Sequence, residues 1–260
     1  RAFLVVGGLP AAVDAYVKTG SFVEAQREQD DILVSLKADF GKYKARVPPE
    51  RIRAALSSII RQTGGKFVYT DAAAGLDYRK SREATDLLEL ARLVVRVMAS
   101  RAGGVPLGGG VDPKCAKFLL LDTGLYLRES GLAVSEWIAD PPEQFVNRGR
   151  LAELFAGLEL AKSGDPWTEP QLFYWQREAR GSNAEVDYLV QNGASILPRI
   201  AFLKRGGAEE ISCNPQEPAI QSAPFTHDGG EVPMTSSITA RADNRFRFRS
   251  DFDSASDGMD

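Results

Sequence analysis

The stretch from Phe173 to Gln191, FYWQREARGSNAEVDYLVQ, places two strand-like runs on either side of a polar turn. The run Phe173 to Trp175 is aromatic, and Ala184 to Val190 alternates between apolar and polar residues. The polar turn between them, Arg177 to Asn183, contains a glycine. Runs of this kind around such a turn are typical of a β-hairpin. The sequence therefore predicts that this part of the chain belongs to a β-sheet.

Two carboxylates share one face of the second predicted strand. Side chains alternate with a period of two along a strand, so Glu185 and Asp187 point the same way, about 7 Å apart. Because burying an unpaired carboxylate is costly, such pairs are solvated, paired with arginine, or bound to a divalent cation. The pattern alone leaves open both a solvated or arginine-paired edge and a metal site.

Five segments carry a resemblance to a known family: GGLPAAVDAYVKTGSF, KFVYTD, VPLGGGVDPKCAKFLLLDTGLYL, RGRLAELFAGLEL and YWQREARGSNAEVDYLVQ. From about Phe3 to Pro198 the chain resembles the C-terminal domain of unknown function in a bacterial and archaeal family of AAA-type (AAA+) ATPases. That domain is similar to the PD-(D/E)xK nuclease superfamily. In the last segment the family's commoner form has His where this chain has Gln176.

The resemblance implies a divalent-metal site built from a helix glutamate, a strand aspartate and a Glu-x-Lys pair on the third strand. Glu153 matches the helix position and Asp187 the strand position, and both are residual catalytic candidates. Together with Glu185 they are the candidate metal ligands, and their hard oxygens suit Mg²⁺. The sequence also allows Glu153 to be an ordinary exposed helix residue.

The third strand departs from the pattern that the resemblance implies. The metal-binding Glu falls on Ile200 and the Lys on Phe202, and neither side chain can bind a cation or donate a proton. Lys204 lies two residues late on the same strand face, with a longer reach. Intact catalysis is therefore not expected, and a residual Mg-dependent nuclease is kept as an alternative.

Two features of the AAA-type relatives are not found in this sequence, namely the P-loop motif and the continuation of the nuclease-like domain after Lys204. No GxxxxGK[ST] motif occurs, so ATP would bind only through a P-loop domain upstream of this part of the relatives, and no cofactor is expected here. The segment Arg205 to Asp260 is rich in Gly, Ser, Asp, Pro and Thr, which predicts disorder. A change of reading frame and simple divergence are alternative explanations for the loss of the family pattern in this segment, and a non-functional gene remnant is kept as a further alternative.

The region before the hairpin is predicted to be mainly helical and winged-helix-like. Predicted helices span Leu9 to Thr19, Ser21 to Phe40, Arg51 to Gln62 and about Tyr78 to Ala91, followed by a β-rich run Leu93 to Met98, a loop Gly103 to Gly110 and a strand Lys117 to Leu121. Asp122 and Thr123 are expected to cap a helix that begins near Gly124, in preference to a catalytic role. Pro141-Pro142 is predicted to be a linker.

Basic residues concentrate in the predicted winged-helix region. Arg79, Lys80, Arg82 and Arg96 are the candidate nucleic-acid-binding residues, with Arg92 and Arg101 nearby. Four acidic residues interleave with them, namely Asp77, Glu83, Asp86 and Glu89. Mixed charge favours a solvated helix face with internal ion pairs over duplex binding, and packing against an ATPase domain is a third interpretation.

Composition limits the function classes. The 260 residues carry a net charge of −3, so any binding of nucleic acid must be local. Cys115 and Cys213 lie far apart, which favours a reducing cytoplasm over a disulfide framework, and the single His227 argues against histidine-based catalysis. No apolar run approaches the roughly 20 residues that a membrane helix needs, so no membrane partner is expected.

These observations predict an α/β protein in three parts. A helical, winged-helix-like region runs to Pro142, a truncated restriction-endonuclease-like sheet spans 143–204, and a disordered tail spans 205–260. The predicted function is that of a DNA-binding or partner-docking module without intact catalysis. Its expected partners are double-stranded DNA and, in full-length relatives, an ATPase domain.

Overall fold

The computed structural model describes residues 2–72, 76–131, 147–164, 167–179, 182–204 and 207–212. It is an α/β protein in which helices accompany an open β-sheet. The helices are α1 (Ala2–Val6), α2 (Pro10–Thr19), α3 (Phe22–Asp39), α4 (Pro49–Gln62), α5 (Tyr78–Leu90), α6 (Thr123–Glu129) and α7 (Asn147–Ser163). The strands are β1 (Val94–Ser100), β2 (Val111–Leu120), β3 (Leu172–Ala179), β4 (Ser182–Asn192), β5 (Ser195–Lys204) and β6 (Gly207–Ser212). Short 3₁₀ turns occupy Phe40–Tyr43, Tyr69–Asp71 and Leu107–Gly110.

The described residues fall into two compact units. Unit 1 comprises the described parts of 1–98, 113–172 and 202–208, and unit 2 those of 99–112, 173–201 and 209–260. Unit 1 therefore holds every helix and most of β1 and β2, whereas unit 2 holds most of the strands from β3 onward. The predicted linker Pro141-Pro142 lies outside the described residues, and the predicted domain boundaries remain predictions.

The helices of unit 1 pack in pairs, α2 against α3, α4 against α5 and α1 against α6. On α4, Ile52, Leu56 and Ile59 are buried and recur at helical spacing. They share the core of the unit with buried residues of β2 and α7, namely Phe118, Leu119, Leu120, Leu151 and Leu154. Within α3, Ala25 and Leu33 are buried, while the exposed face carries charged residues.

In unit 1, β1 and β2 are neighbouring strands of one hairpin, and β2 is the edge strand. Leu121 N donates to Leu93 O at 3.0 Å at one end of this hairpin. The predicted strand from Lys117 was too short, because β2 begins at Val111 and runs through Pro113. Proline is tolerated there because an edge strand has one side without a ladder partner.

In unit 2, β4 pairs antiparallel with both β3 and β5, and β6 lies next to β5. Gln176 is opposite Glu185, and Ala179 is opposite Ser182. The predicted polar turn from Arg177 to Asn183 was therefore wrong in extent, since paired strand continues through most of it. Tyr188 is opposite Arg199 on the other side of β4.

The predicted helices are confirmed with small changes at their ends. Ser21 is the N-cap of α3, and its hydroxyl accepts a hydrogen bond from Glu24 N at 3.4 Å. The strand β6 at 207–212 lies within the segment 205–260 for which disorder was predicted, and the extent of that tail stays a prediction. The remainder of the predicted tail, 213–260, lies outside the described residues. Over the described ranges, no helix is long and apolar enough to cross a membrane.

Candidate functional site

Glu153 lies on α7 and is buried in unit 1. Its carboxylate Oε1 accepts a hydrogen bond from the Lys117 ammonium of β2 at 2.6 Å, and the two side chains are only 8% and 2% exposed. The interpretation of Glu153 as an exposed helix residue was therefore wrong. A buried charge needs a partner of opposite sign, and Lys117 supplies it. Sequence reasoning missed Lys117, although a lysine beside the aliphatic run Phe118 to Leu121 was a signal.

Glu185 and Asp187 lie on β4 in unit 2. Glu185 is exposed, Asp187 is half-buried, and the intervening Val186 and the next residue, Tyr188, are buried. The alternation predicted for this strand is thus seen from Glu185 to Tyr188. Leu189 departs from it, because it is buried although it follows buried Tyr188 directly.

The proposed ligand set of Glu153, Glu185 and Asp187 is divided between the units, with Glu153 in unit 1 and the other two in unit 2. Among the residues that the structure describes, no group of three or more His, Cys, Asp or Glu side chains is arranged to hold a metal ion. The metal site therefore stays a prediction. Ile200 and Phe202 both lie on β5, as expected for the third strand.

Arg96 of β1 is embedded in an acidic cluster on α5. Its Nη2 pairs with Asp86 Oδ1 and with Glu89 Oε2, the latter at 2.7 Å, and its guanidinium lies 5.2 Å from the centre of the Phe118 ring. The side chain is 14% exposed. Burial raises the pKa of the Glu89 carboxyl above its ordinary value, although the charge of Arg96 opposes this. Arg96 therefore joins β1 to α5.

Arg82 is also used within the fold. Its Nη1 donates to the Tyr78 hydroxyl at 2.9 Å and to Pro113 O of β2 at 2.7 Å. The hydrogen bond to Tyr78 raises the pKa of Arg82. Because these bonds occupy one end of the guanidinium, Arg82 acts as a tether between α5 and β2.

Arg79 and Lys80 lie at the start of α5 and are engaged least. Lys80 Nζ lies 3.3 Å from the exposed Asp77 carboxylate, which also caps α5 by accepting from Lys80 N. That backbone hydrogen bond lowers the pKa of Asp77. Arg79 is exposed, and within the described ranges it has no ion pair. Of the four predicted nucleic-acid-binding residues, Arg79 and Lys80 are the two whose charged groups are accessible to a ligand.

Asp122 has the capping role that the sequence predicted. Its carboxylate accepts hydrogen bonds from Leu125 N, in the first turn of α6, at 3.0 Å and from Gly8 N at 2.7 Å. Gly7 has φ +74° there, and a Cβ at Gly7 would lie 2.2 Å from Asp122 Oδ1. This contact fastens the residues after α1 to the start of α6 and leaves Asp122 little freedom for chemistry.

Gln29 is a buried polar residue that the sequence did not reveal. Its Nε2 donates to Val5 O at 3.0 Å and to Val6 O at 2.9 Å, so α3 satisfies the last carbonyls of α1. Gly124 leaves room for it, because a Cβ at that position would lie 2.4 Å from Gln29 Nε2. A glutamine among charged residues of an amphipathic helix carries no signal of this role.

A protein family model matches just over half of the chain. The family is described as a domain of unknown function (DUF8612), and its model matches residues 1–136, which include the helices α1 to α6. No curated protein and no solved structure matches the chain. The resemblance to AAA-type ATPases and PD-(D/E)xK nucleases is not part of that description, so it stays a prediction.

Proposed function

The chain belongs to the family of the domain of unknown function DUF8612, and we propose that it acts as a DNA-binding module without intact catalysis. In this proposal it is the C-terminal part of an AAA-type ATPase-associated protein, as the sequence resemblance implies. The ATP-binding step belongs to a domain that this chain does not include.

The start of α5 carries the DNA-binding part of the proposal. Arg79 is exposed and, among the described residues, has no carboxylate partner. The pair of Lys80 with Asp77 is exposed on both sides, at 43% and 58%, and exposed ion pairs are weak because water and salt screen them. A phosphate group can therefore compete for Lys80 and bind Arg79 directly.

Arg82 and Arg96 are assigned to the fold in this proposal. Both make contacts that join α5 to the β1–β2 hairpin, and Arg96 is shielded by two carboxylates. Removing either side chain is expected to lower the stability of unit 1 and not to act directly on a DNA contact. The candidate interface is thus reduced from four basic residues to two.

The lack of catalysis is supported by Glu153 and Lys117. The Lys117 ammonium occupies one oxygen of the only helix carboxylate that the resemblance assigns to catalysis. A cation at Glu153 would have to compete with that buried ammonium for the carboxylate oxygen. This is unfavourable for a site that must load Mg²⁺ in each cycle.

Docking of a protein is the second candidate, and the end of α5 favours it. Leu90 is 68% exposed at the C-terminus of the helix, and Tyr78 is 39% exposed at its start. The two residues lie at opposite ends of α5, and Leu90 offers an apolar side chain that suits a protein contact better than a phosphate contact. In the resemblance, the ATPase domain would be the protein that docks.

Titration of the full chain with a labelled DNA duplex at several salt concentrations tests the proposal. We expect Arg79→Ala and Lys80→Ala each to weaken binding and to reduce the slope of log affinity against log salt by about 1. Lys18→Ala is the matched control, because Lys18 is exposed and paired with a carboxylate on α2. Undetectable or salt-insensitive binding would contradict the proposal and leave protein docking.

A further inference from the structure

The segment Asp39 to Arg53 is strongly basic on a chain that is acidic overall. It holds five basic and two acidic residues, a net charge of +3, whereas the whole chain carries −3. The predicted DNA-binding stretch from Asp77 to Arg101 has six basic and four acidic residues, a net charge of only +2 over a longer span. The net positive charge of this segment is therefore denser than that of the stretch predicted to bind DNA.

Three of these basic side chains have no ion pair among the residues that the structure describes: Lys44, Arg46 and Arg51. The two acidic residues are already engaged, since Asp39 pairs with Lys42 at 2.6 Å and Glu50 pairs with Arg53 at 3.8 Å. The remaining three positive charges are therefore available to an anionic ligand.

The backbone holds this segment in a defined shape. Within it, all six residues from Gly41 to Arg46 are exposed, and buried Phe40 and Val47 flank them. Tyr43 O accepts hydrogen bonds from Arg46 N at 2.9 Å and from Val47 N at 3.0 Å. Lys44 and Arg46 are thus carried by a turn that is hydrogen-bonded and flanked by buried residues, and half-buried Arg51 follows in the first turn of α4. A ligand therefore does not have to order the backbone that carries these side chains.

Tyr43 adds an aromatic surface to the same turn. It is 37% exposed and lies between Lys42 and Lys44. Aromatic side chains among basic residues are how proteins bind single strands, because bases stack on the ring while cations meet the phosphates. In a duplex the bases are already stacked on one another and do not offer a free face to the ring.

We propose that residues 43–51 form a binding site for single-stranded nucleic acid. Lys44, Arg46 and Arg51 bind the phosphates, and Tyr43 stacks on one base. This site is additional to the duplex contact at the start of α5. The phosphate and base chemistry is shared by DNA and RNA, so the assay uses both.

The test is titration of the full chain with labelled oligo-dT and oligo-U at several salt concentrations. We expect the triple variant Lys44→Ser, Arg46→Ser, Arg51→Ser to bind at least about tenfold more weakly, with a salt slope smaller in magnitude by about 2. Tyr43→Ala should weaken binding by about tenfold, while Tyr43→Phe should retain it. A preference between the two oligonucleotides identifies the strand type.

The matched control is Lys18→Ser, Arg27→Ser, Lys162→Ser, which removes the same charge from exposed lysines and arginines that have carboxylate partners. Equal weakening by this control would overturn the site, as would no binding of either oligonucleotide by the unmodified chain. An unchanged affinity of Tyr43→Ala would overturn the single-stranded assignment. The double variant Lys44→Ser, Arg46→Ser replaces the triple if a thermal melt shows that the triple is unfolded.

These results are separable from those for α5. Loss of oligonucleotide binding in the triple variant supports this site whatever Arg79→Ala does to the duplex. Duplex binding that depends on Arg79 together with oligonucleotide binding that ignores the triple variant would overturn this inference alone.

Discussion

Lys117 is a buried charged residue beside the aliphatic residues of β2, and its ammonium group binds the Glu153 carboxylate. Glu153 was a candidate because it matches the helix position that the resemblance implies, whereas its partner Lys117 lies 36 positions away in the sequence. Pairing across the core depends on how α7 and β2 pack, and no local pattern records it. By contrast, Asp122 was predicted correctly, because a cap acts on residues three positions away.

Glu153→Ala is expected to destabilise the chain by about 3–5 kcal/mol, because it removes the carboxylate from a buried ammonium. Replacing both partners, as Glu153→Leu with Lys117→Met, should cost much less, since the two opposite charges of the buried pair are then removed together. Urea unfolding monitored by circular dichroism measures both changes.

Glu159→Ala is the control for that experiment, because Glu159 lies on the same helix in an exposed pair with Lys162. Its effect should be a few tenths of a kcal/mol. A Glu153→Ala variant as stable as Glu159→Ala would show that the buried pair is not needed for the fold.

Gly124→Ala is expected to destabilise the chain by about 1–3 kcal/mol. The new Cβ would lie 2.8 Å from Val6 O and 2.9 Å from Val5 O, and backbone carbonyls cannot move away cheaply. Thermal or urea unfolding reports the change. Gly149→Ala serves as the comparison, because a Cβ at Gly149 meets nothing within 4 Å, and it should leave stability unchanged or raise it.

Among the elements, helices were easier to predict than strands. The spacing of Ile52, Leu56 and Ile59 records which face of α4 is buried, and Gly64 and Gly65 follow its end. The β3–β4 hairpin was predicted with too long a turn, because the polar residues from Arg177 to Asn183 resemble a loop although strand pairing continues to Ala179 and Ser182. Cross-strand pairing stabilises polar strand ends, and composition does not show it.

The junction of α3 and α6 gives a pH-dependent prediction. Arg128 Nε and Nη2 bind both carboxylate oxygens of Asp30 at 2.6 Å, which lowers the pKa of Asp30 below its ordinary value of 3.8. A lowered pKa in the folded state adds stability above about pH 4, and this is lost as the pH falls through the folded value. The pair is about half exposed, so its contribution is about 0.5 kcal/mol.

We therefore expect Asp30→Asn to be less stable than the unmodified chain at pH 7, and the difference to shrink as the pH falls below about 4. Urea midpoints at a series of pH values measure the difference between the two proteins. Arg27→Gln is the control, since Arg27 makes an exposed pair within α3 alone. A constant difference across the pH range would show that the carboxylate charge of Asp30 is not the cause.

The chain carries a net negative charge, but its basic residues differ in whether they are paired with carboxylates and in which elements those pairs join. Among the described residues of unit 1, ion pairs such as Lys18 with Asp14 and Arg82 with Asp86 link residues of one helix, while those of Arg96 and Arg128 join separate elements. Charge counted along the sequence could not distinguish a structural arginine such as Arg96 from an available one such as Arg46. That distinction depends on the neighbours that folding provides.

Catalysis by the whole chain is expected to be absent. Incubation of plasmid DNA with the chain and Mg²⁺ or Mn²⁺ should give no cutting, because β5 carries Ile200 and Phe202 where the resemblance requires a glutamate and a lysine. Gel electrophoresis of the plasmid measures the outcome. Metal-dependent nicking that disappears in Asp187→Ala would establish the residual nuclease instead.

The hydrogen bond from Gly8 to Asp122 spans 114 positions of the chain. During synthesis the segment around Gly8 leaves the ribosome long before Asp122 has been added. The hydrogen bond that joins α1 to α6 therefore cannot form while α1 to α3 emerge. Closing so large a loop is slow compared with forming a helix. Unit 1 should therefore reach its native packing late in translation, and until then the backbone around Gly7 and Gly8 remains open to chaperones and proteases.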